Sequence, residues 1–185
     1  MEICISHIKD TRHSRLAKKQ ELETTLYHLP RAGRKHLDAL ETLLRQIELE
    51  VGLSSAQLSE REAIANRVDA LLKPSIPGCF VRSYGSSMTG LGLQNSDLNL
   101  DLQIPSTIAP HEALIKAFQT LVHFGDTFCN VHPDFTAKIP AVSFQVNGIR
   151  CELSLNNHLA YQTSSLLRDY VQVDARAKTL LICLR

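Results

Sequence analysis

Residues 84–105 read YGSSMTGLGLQNSDLNLDLQIP, which predicts a strand end, a tight turn and a second strand. The second strand carries polar residues at every other position: Asp97, Asn99 and Asp101. Because side chains alternate along a strand, we expect all three on one face of a sheet. Asp97 and Asp101 would lie ~13 Å apart at ~3.3 Å per residue, too far to share one pair of metal ions roughly 4 Å apart. The middle position therefore decides whether a metal pair can bind, and it holds a neutral amide.

The turn before this strand, Gly85-Ser86-Ser87, has residue types suited to a phosphate group. A glycine lets a triphosphate approach the backbone N–H groups, and serine hydroxyls can donate hydrogen bonds to it. Besides Asp97, Glu152 supplies a second carboxylate on a predicted strand. Together these features indicate the residue set that Mg²⁺-assisted phosphoryl or nucleotidyl transfer requires.

The pattern GSS…SDLNLDL…CELSLNN resembles the RNA terminal uridylyltransferases and noncanonical poly(A) polymerases of the nucleotidyltransferase superfamily. The resemblance covers about residues 76–185 and points to the degenerate N-terminal nucleotidyltransferase module of the large cytoplasmic terminal uridylyltransferases. It implies an α+β fold of the nucleotidyltransferase type, with a polymerase-β-like palm whose mixed sheet is flanked by helices. A helical N-terminal lead-in precedes this palm. It also implies a helical nucleotide-recognition domain, before which we expect this chain to be truncated.

The resemblance assigns roles to individual positions. The three catalytic positions fall on Asp97, Asn99 and Glu152, of which Asp97 and Glu152 would bind Mg²⁺ or Mn²⁺. Asn99 stands where the family has a carboxylate. Its amide lacks the negative charge that a hard cation requires, and its N–H₂ group is a hydrogen-bond donor that cannot coordinate the cation. We therefore predict a copy that is inactive on its own. The nucleotide-binding positions fall on Gly85, Ser86, Ser87, Asn157, Thr163, Ser164, Lys178 and Arg185.

His7 and His13 have the His-x5-His spacing that ends a C2H2-type finger before a basic helix in the same relatives. A zinc ion needs four ligands, usually including a cysteine pair. Cys4 alone does not complete that set, so zinc binding would require a cysteine pair upstream in a longer product. The alternative is that both histidines are exposed on a helix.

Residues 9–19 carry five Lys or Arg, although the formal net charge of the 185-residue chain is only +1. The basic run is either a solvated helix face or an arm that contacts phosphates. The five cysteines form no C-x-x-C pair, which favours reduced thiols. The sequence predicts no signal peptide and no membrane span, and hence a cytoplasmic location, with the nucleus as an alternative.

Hydrophobic periodicity predicts helices first and a mixed α/β region afterwards. Residues 35–51 form an amphipathic helix whose stripe should pack in the core, and Ser59 with Glu62 has capping-box spacing for the next helix. Strands follow from Cys79, and Asn147-Gly148 predicts a hairpin with a type I′ turn. The predicted organisation is a basic segment with a finger remnant (1–30), a helical lead-in (31–75) and a nucleotidyltransferase-like domain (76–185).

For function, the resemblance implies a module that recruits RNA, such as a precursor microRNA or an mRNA 3′ end, together with a cold-shock/zinc-knuckle RNA-binding protein. Whether UTP binds is left open. One alternative is an active UTP:RNA uridylyltransferase that uses Asp97 and Glu152. The other is a simple basic RNA-binding module.

Overall fold

The computed structural model describes residues 11–184, and their side chains from residue 14 onwards. The predicted sites at His7 and Arg185 lie outside the described residues, as does the side chain of His13. The described chain falls into two compact units, one that ends at Glu41 and one that begins at Thr42. The predicted three-part division at residues 30 and 75 remains a prediction.

Three helices precede the sheet: α1 (Thr11–Tyr27), α2 (Arg34–Val51) and α3 (Ser55–Leu72). The predicted helix at 35–51 is confirmed. The prediction that its apolar stripe packs in the core is wrong, because α2 has no buried residue. Leu37 is 51% exposed and Leu40 is 42% exposed. An amphipathic pattern therefore predicted the helix correctly without predicting what covers its apolar stripe.

Helix α3 begins earlier than its sequence suggested. Ser54 is the N-cap, since its hydroxyl accepts from the backbone N–H of Gln57 while the Gln57 side chain accepts from the Ser54 backbone N–H. The predicted start at Ser59 is therefore wrong: glutamine serves at the third helical position as well as glutamate does. The apolar face of α3 packs in the core through Ile64, Val68 and Leu72, which are buried.

The sheet is mixed, with strand order β1-β2-β5-β4-β3. Strands β2 and β5 pair in parallel, and the other neighbours pair antiparallel. Helices precede the strands along the chain, lie between them and follow them. This arrangement confirms the α+β class. The strands are β1 (Phe80–Tyr84), β2 (Leu98–Gln103), β3 (Cys129–Asp134), β4 (Ala141–Val146) and β5 (Ile149–Leu155), and the remaining helices are α4 (Ser86–Thr89), α5 (Pro110–His123), α6 (His158–Val173) and α7 (Ala175–Cys183).

One sheet face forms the hydrophobic core and the opposite face carries the polar residues. Leu98, Leu100 and Leu102 of β2 are fully buried in a cluster with residues of α3 and α5. The β4–β5 hairpin turns at Asn147 (φ 51°) and Gly148 (φ 79°), and these two positive angles confirm the predicted turn type. No helix within residues 11–184 is both long and apolar enough to cross a membrane.

Candidate nucleotidyltransferase-type site

The polar face of the sheet brings two of the predicted catalytic positions side by side. Asn99 on β2 is directly opposite Glu152 on β5, and on its other side Asn99 is opposite Tyr84 at the end of β1. Asp97 lies just before β2 and is exposed. Parallel pairing of β2 with β5 thus gathers Asp97, Asn99 and Glu152 at one edge of the polar face.

The phosphate-type turn follows β1 immediately. Gly85 has φ 69°, a conformation that favours glycine, and a Cβ placed there would lie 3.1 Å from the Nδ2 atom of Asn99. The backbone N–H of Gly85 donates to Ser164 Oγ at 2.8 Å. The turn therefore packs against Asn99 on one side and is held by α6 on the other.

A buried arginine that sequence reasoning missed supports this turn from the α3 side. Arg61 is 3% exposed and donates to the carbonyl oxygen of Ser96 at 2.6 Å and to Ser87 Oγ at 3.3 Å. Burial lowers the pKa of Arg61, and the charges of Asp97 and Glu60 act in the opposite direction. Arg61 thus links the Ser87 turn to the loop that carries Asp97. The helical pattern offered no signal for it, because an arginine within a helix is usually exposed.

Asp101 is not available to the site although it shares the polar face. Its carboxylate is fully buried and accepts from Arg82 Nε at 3.1 Å, from Arg82 Nη2 at 3.0 Å and from Gln103 Nε2 at 2.6 Å. Its other oxygen accepts from the backbone N–H of Asn157 at 2.7 Å. The Arg82 guanidinium in turn stacks 3.5 Å from the ring centroid of Tyr161. Asp101 therefore anchors the start of α6.

The predicted nucleotide-binding residues beyond the turn are dispersed over α6 and α7. Asn157 caps α6 by accepting from the backbone N–H of Ala160 at 3.4 Å. Thr163 is exposed, and its hydroxyl donates to the Leu159 carbonyl oxygen at 2.9 Å, whereas Ser164 is buried against the turn.

Lys178 on α7 forms an ion pair with Glu48 on α2, with Nζ 3.0 Å from Oε1. Burial raises the pKa of Glu48, but hydrogen bonds from Thr179 and Lys178 outweigh it and bring the pKa below its ordinary value. In this structure Lys178 therefore serves a helix–helix contact. Its predicted role toward a nucleotide remains a prediction.

A second arginine stands at the site itself. Arg150 precedes Glu152 by two positions on β5 and therefore points to the same face, with its Nε 3.8 Å from Asp97 Oδ2. The two side chains are 62% and 47% exposed. Strand alternation before Glu152 was a signal that could have placed Arg150 here.

The residues present do not fit a pair of divalent cations. Such a pair needs bridging anionic oxygens, and the position between Asp97 and Glu152 offers only the neutral amide of Asn99. Asp101 is engaged by four hydrogen bonds and Asp97 contacts Arg150. Across the described part of the chain, no three His, Cys, Asp or Glu side chains gather in a metal-binding group.

The sequence of this chain is similar to a known family of nucleotidyltransferase domains. The model of the TUTase nucleotidyltransferase domain matches residues 18–154. Human terminal uridylyltransferase 4 is 31% identical over 163 residues, which cover 87% of this chain and 10% of that protein. Human terminal uridylyltransferase 7 is 29% identical over 181 residues, which cover 97% of this chain and 12% of that protein. The chain thus spans about a tenth of the length of these relatives.

A solved structure of the Cid1 poly(U) polymerase with bound MgGTP has the same fold, with a TM-score of 0.71 at 24% identity. The match covers 79% of this chain and 46% of that one.

Proposed function

The chain belongs to the TUTase nucleotidyltransferase family, and from that membership we propose that it is a non-catalytic, RNA-recruiting module of an RNA 3′-terminal uridylyltransferase. A catalytic module of the same protein would add the uridines. The recruited RNA is a small precursor, such as a precursor microRNA, or an mRNA 3′ end, and its partner is a cold-shock/zinc-knuckle RNA-binding protein.

The observation that carries the non-catalytic part is the pairing of Asn99 with Glu152. The amide occupies the position where a metal pair would need a bridging carboxylate. The nearest acidic substitute on the strand, Asp101, is buried in the Arg82 contact. A site with two separated carboxylates and a central amide binds hard cations poorly.

The RNA-recruiting part is supported by the charge of α1. Arg15, Lys18 and Lys19 are exposed within one stretch of this helix, although Lys19 Nζ also lies 3.8 Å from Glu23 Oε1. Exposed cations on a helix neutralise backbone phosphates by displacing counterions, with little dependence on base sequence. Such a helix recruits RNA, while base selection comes from elsewhere.

An active enzyme is the second candidate, because Asp97 is exposed and Glu152 is only half-buried, which leaves both carboxylates accessible to a ligand. The test uses the 185-residue chain, UTP and a short single-stranded RNA in Mg²⁺ and in Mn²⁺. Extension is followed on a denaturing gel and binding by fluorescence anisotropy. We expect RNA binding without extension.

Two outcomes would overturn separate parts of the proposal. UTP-dependent extension would establish catalysis and remove the non-catalytic part. Failure to bind RNA at low salt would remove the recruiting part. A variant with Arg15, Lys18 and Lys19 all changed to Gln should bind RNA more weakly and with a shallower salt dependence, and Lys138→Gln on the β3–β4 loop controls for the loss of a surface charge.

A further inference from the structure

The charges at the degenerate site are balanced by side chains of the protein. Asp97 lies 3.8 Å from Arg150, and it is also within electrostatic reach of the buried Arg61. Glu152 adds the second negative charge. Glu60, which also acts on Arg61, adds a third. The two guanidinium groups offset two of these three carboxylates, so the site lacks the strong negative field that draws divalent ions to a carboxylate cluster.

Arg150 keeps donors free for a ligand. A guanidinium has five N–H donors in a fixed fork, and among the described residues the side-chain contact of Arg150 at ion-pair distance is that of its Nε with Asp97. With 62% of its side chain exposed, the rest of the fork faces solvent. A planar fork of this kind matches a phosphate group through two parallel hydrogen bonds.

The strands beyond Arg150 extend this surface with polar groups. Gln145 on β4 lies opposite Arg150, and Ser143 lies opposite Glu152. The Nδ2 atom of Asn130 donates to Gln145 Oε1 at 2.8 Å and so fixes the orientation of that amide. A phosphate held by Arg150 would meet neutral hydrogen-bonding groups on this side.

We propose that the Arg150 guanidinium takes the place of the divalent cation at this centre, so that a phosphate group binds there without metal. The inference rests on the proposed function, since it describes how the non-catalytic site still contacts its ligand. The phosphate belongs either to a nucleoside triphosphate or to the backbone of single-stranded RNA. No bond is made or broken.

The test measures the Kd of the 185-residue chain for UTP by calorimetry and for a short oligouridylate by anisotropy. Each ligand is measured in excess EDTA and in millimolar MgCl₂ at matched ionic strength. We expect Mg²⁺ to tighten the binding of neither ligand, and to weaken that of UTP to the extent that it complexes the triphosphate and lowers its negative charge. Arg150→Gln should weaken binding of the ligand that uses the site about tenfold or more, as expected for loss of a charge-assisted bidentate contact.

Arg150→Lys keeps the charge but loses the fork, so its Kd should lie between those of the wild-type chain and Arg150→Gln. Lys138→Gln removes a positive charge from the distant β3–β4 loop and should leave Kd within about twofold of the wild-type value. The arm that responds to Arg150→Gln, UTP or oligouridylate, identifies the source of the phosphate.

The proposal is overturned if Mg²⁺ tightens wild-type binding about tenfold, if Arg150→Gln behaves like Lys138→Gln, or if neither ligand binds. The first two results are distinct from failure of the proposed function, which shows itself as UTP-dependent extension of RNA or as failure to bind RNA at low salt. If neither ligand binds, this inference and the recruiting part of the proposed function are both lost. If the chain extends no RNA but binds UTP only with Mg²⁺, the proposed function stands and this inference is overturned.

Discussion

The backbone N–H of Gly85 donates a 2.8 Å hydrogen bond to Ser164 Oγ, so a buried serine of α6 holds the turn that follows β1. The same hydroxyl donates to the carbonyl oxygen of Ala160 at 2.7 Å. Ser164 thereby satisfies a backbone donor that no secondary-structure ladder would satisfy. Its position explains why α6 and the turn stay in contact, and it makes the turn sensitive to a residue far away in sequence.

Ser164→Ala should lower the free energy of unfolding by about 1–3 kcal/mol, because it removes the buried hydroxyl that the N–H of the half-buried Gly85 bonds to. Urea unfolding measures this cost. Thr163→Ala is the matched control, since Thr163 also bonds back to a helix carbonyl but is exposed, and it should cost less than about 0.5 kcal/mol. Equal costs for the two variants would contradict the role assigned to Ser164.

Asp101→Asn should lower the free energy of unfolding by about 3–5 kcal/mol, because it removes one partner of a buried ion pair and leaves Arg82 uncompensated. Asp97→Asn, in an exposed pair with Arg150, should cost less than about 1 kcal/mol. Urea unfolding of both variants in EDTA and in Mg²⁺ tests the comparison. A cost of Asp101→Asn that appears only in Mg²⁺ would mean that Asp101 is a metal ligand, contrary to its placement here.

The sequence predicted those parts of the fold that depend on local pattern. The leucines of β2 recur at every second residue, which predicts a strand with one apolar face. The folded chain buries that face, so the local pattern and the tertiary packing agree. The Asn147-Gly148 turn was predictable because few residues adopt two successive positive φ angles.

The parts that the sequence did not predict depend on tertiary partners. The apolar stripe of α2 is much more regular than that of α3, yet Leu37 and Leu40 are exposed while Val68 and Leu72 are buried. Strand β3 was missed because its residues, CNVHPD, include a proline and are mostly exposed at the sheet edge.

The candidate site divides in the same way. The family resemblance assigned Asp97, Asn99 and Glu152 to one site, and the parallel pairing of β2 with β5 places Asn99 opposite Glu152. Arg61 carries no motif. Strand alternation places Arg150 on the face of Glu152, but the carboxylate that Arg150 contacts depends on the folded chain, as does the loop that Arg61 contacts. Charge balance at the site could therefore be judged only from the structure.

Asn99→Asp should convert the site into one that responds to metal. Without metal, the new carboxylate beside Asp97 and Glu152 should destabilise the chain by like-charge repulsion. Mn²⁺ should restore that stability and raise the Tm of the variant, because an ion that binds only the folded state stabilises it. Thermal unfolding followed by circular dichroism, with and without Mn²⁺, measures this. An equal rise in Tm for the wild-type chain would show that the native residues already hold the metal.

Cys151 should make stability depend on pH at alkaline values. Burial raises the pKa of this thiol to about 12, whereas an unfolded cysteine has a pKa near ~8.5. The folded chain therefore keeps a proton that the unfolded chain releases. The stabilising contribution is complete below about pH 8.5 and is lost as the pH rises toward 12, at about 1.4 kcal/mol per pH unit.

Urea unfolding of the wild-type chain and of Cys151→Ala at several pH values from neutral to about 10 tests this. The variant loses packing at every pH, but its deficit relative to the wild-type chain should shrink by roughly 2 kcal/mol between pH 8.5 and 10. Cys129→Ala is the control because Cys129 is exposed, and its difference from the wild-type chain should stay constant over the same range. A constant deficit for Cys151→Ala as well would mean that the thiol ionises as readily in the folded chain as in the unfolded one.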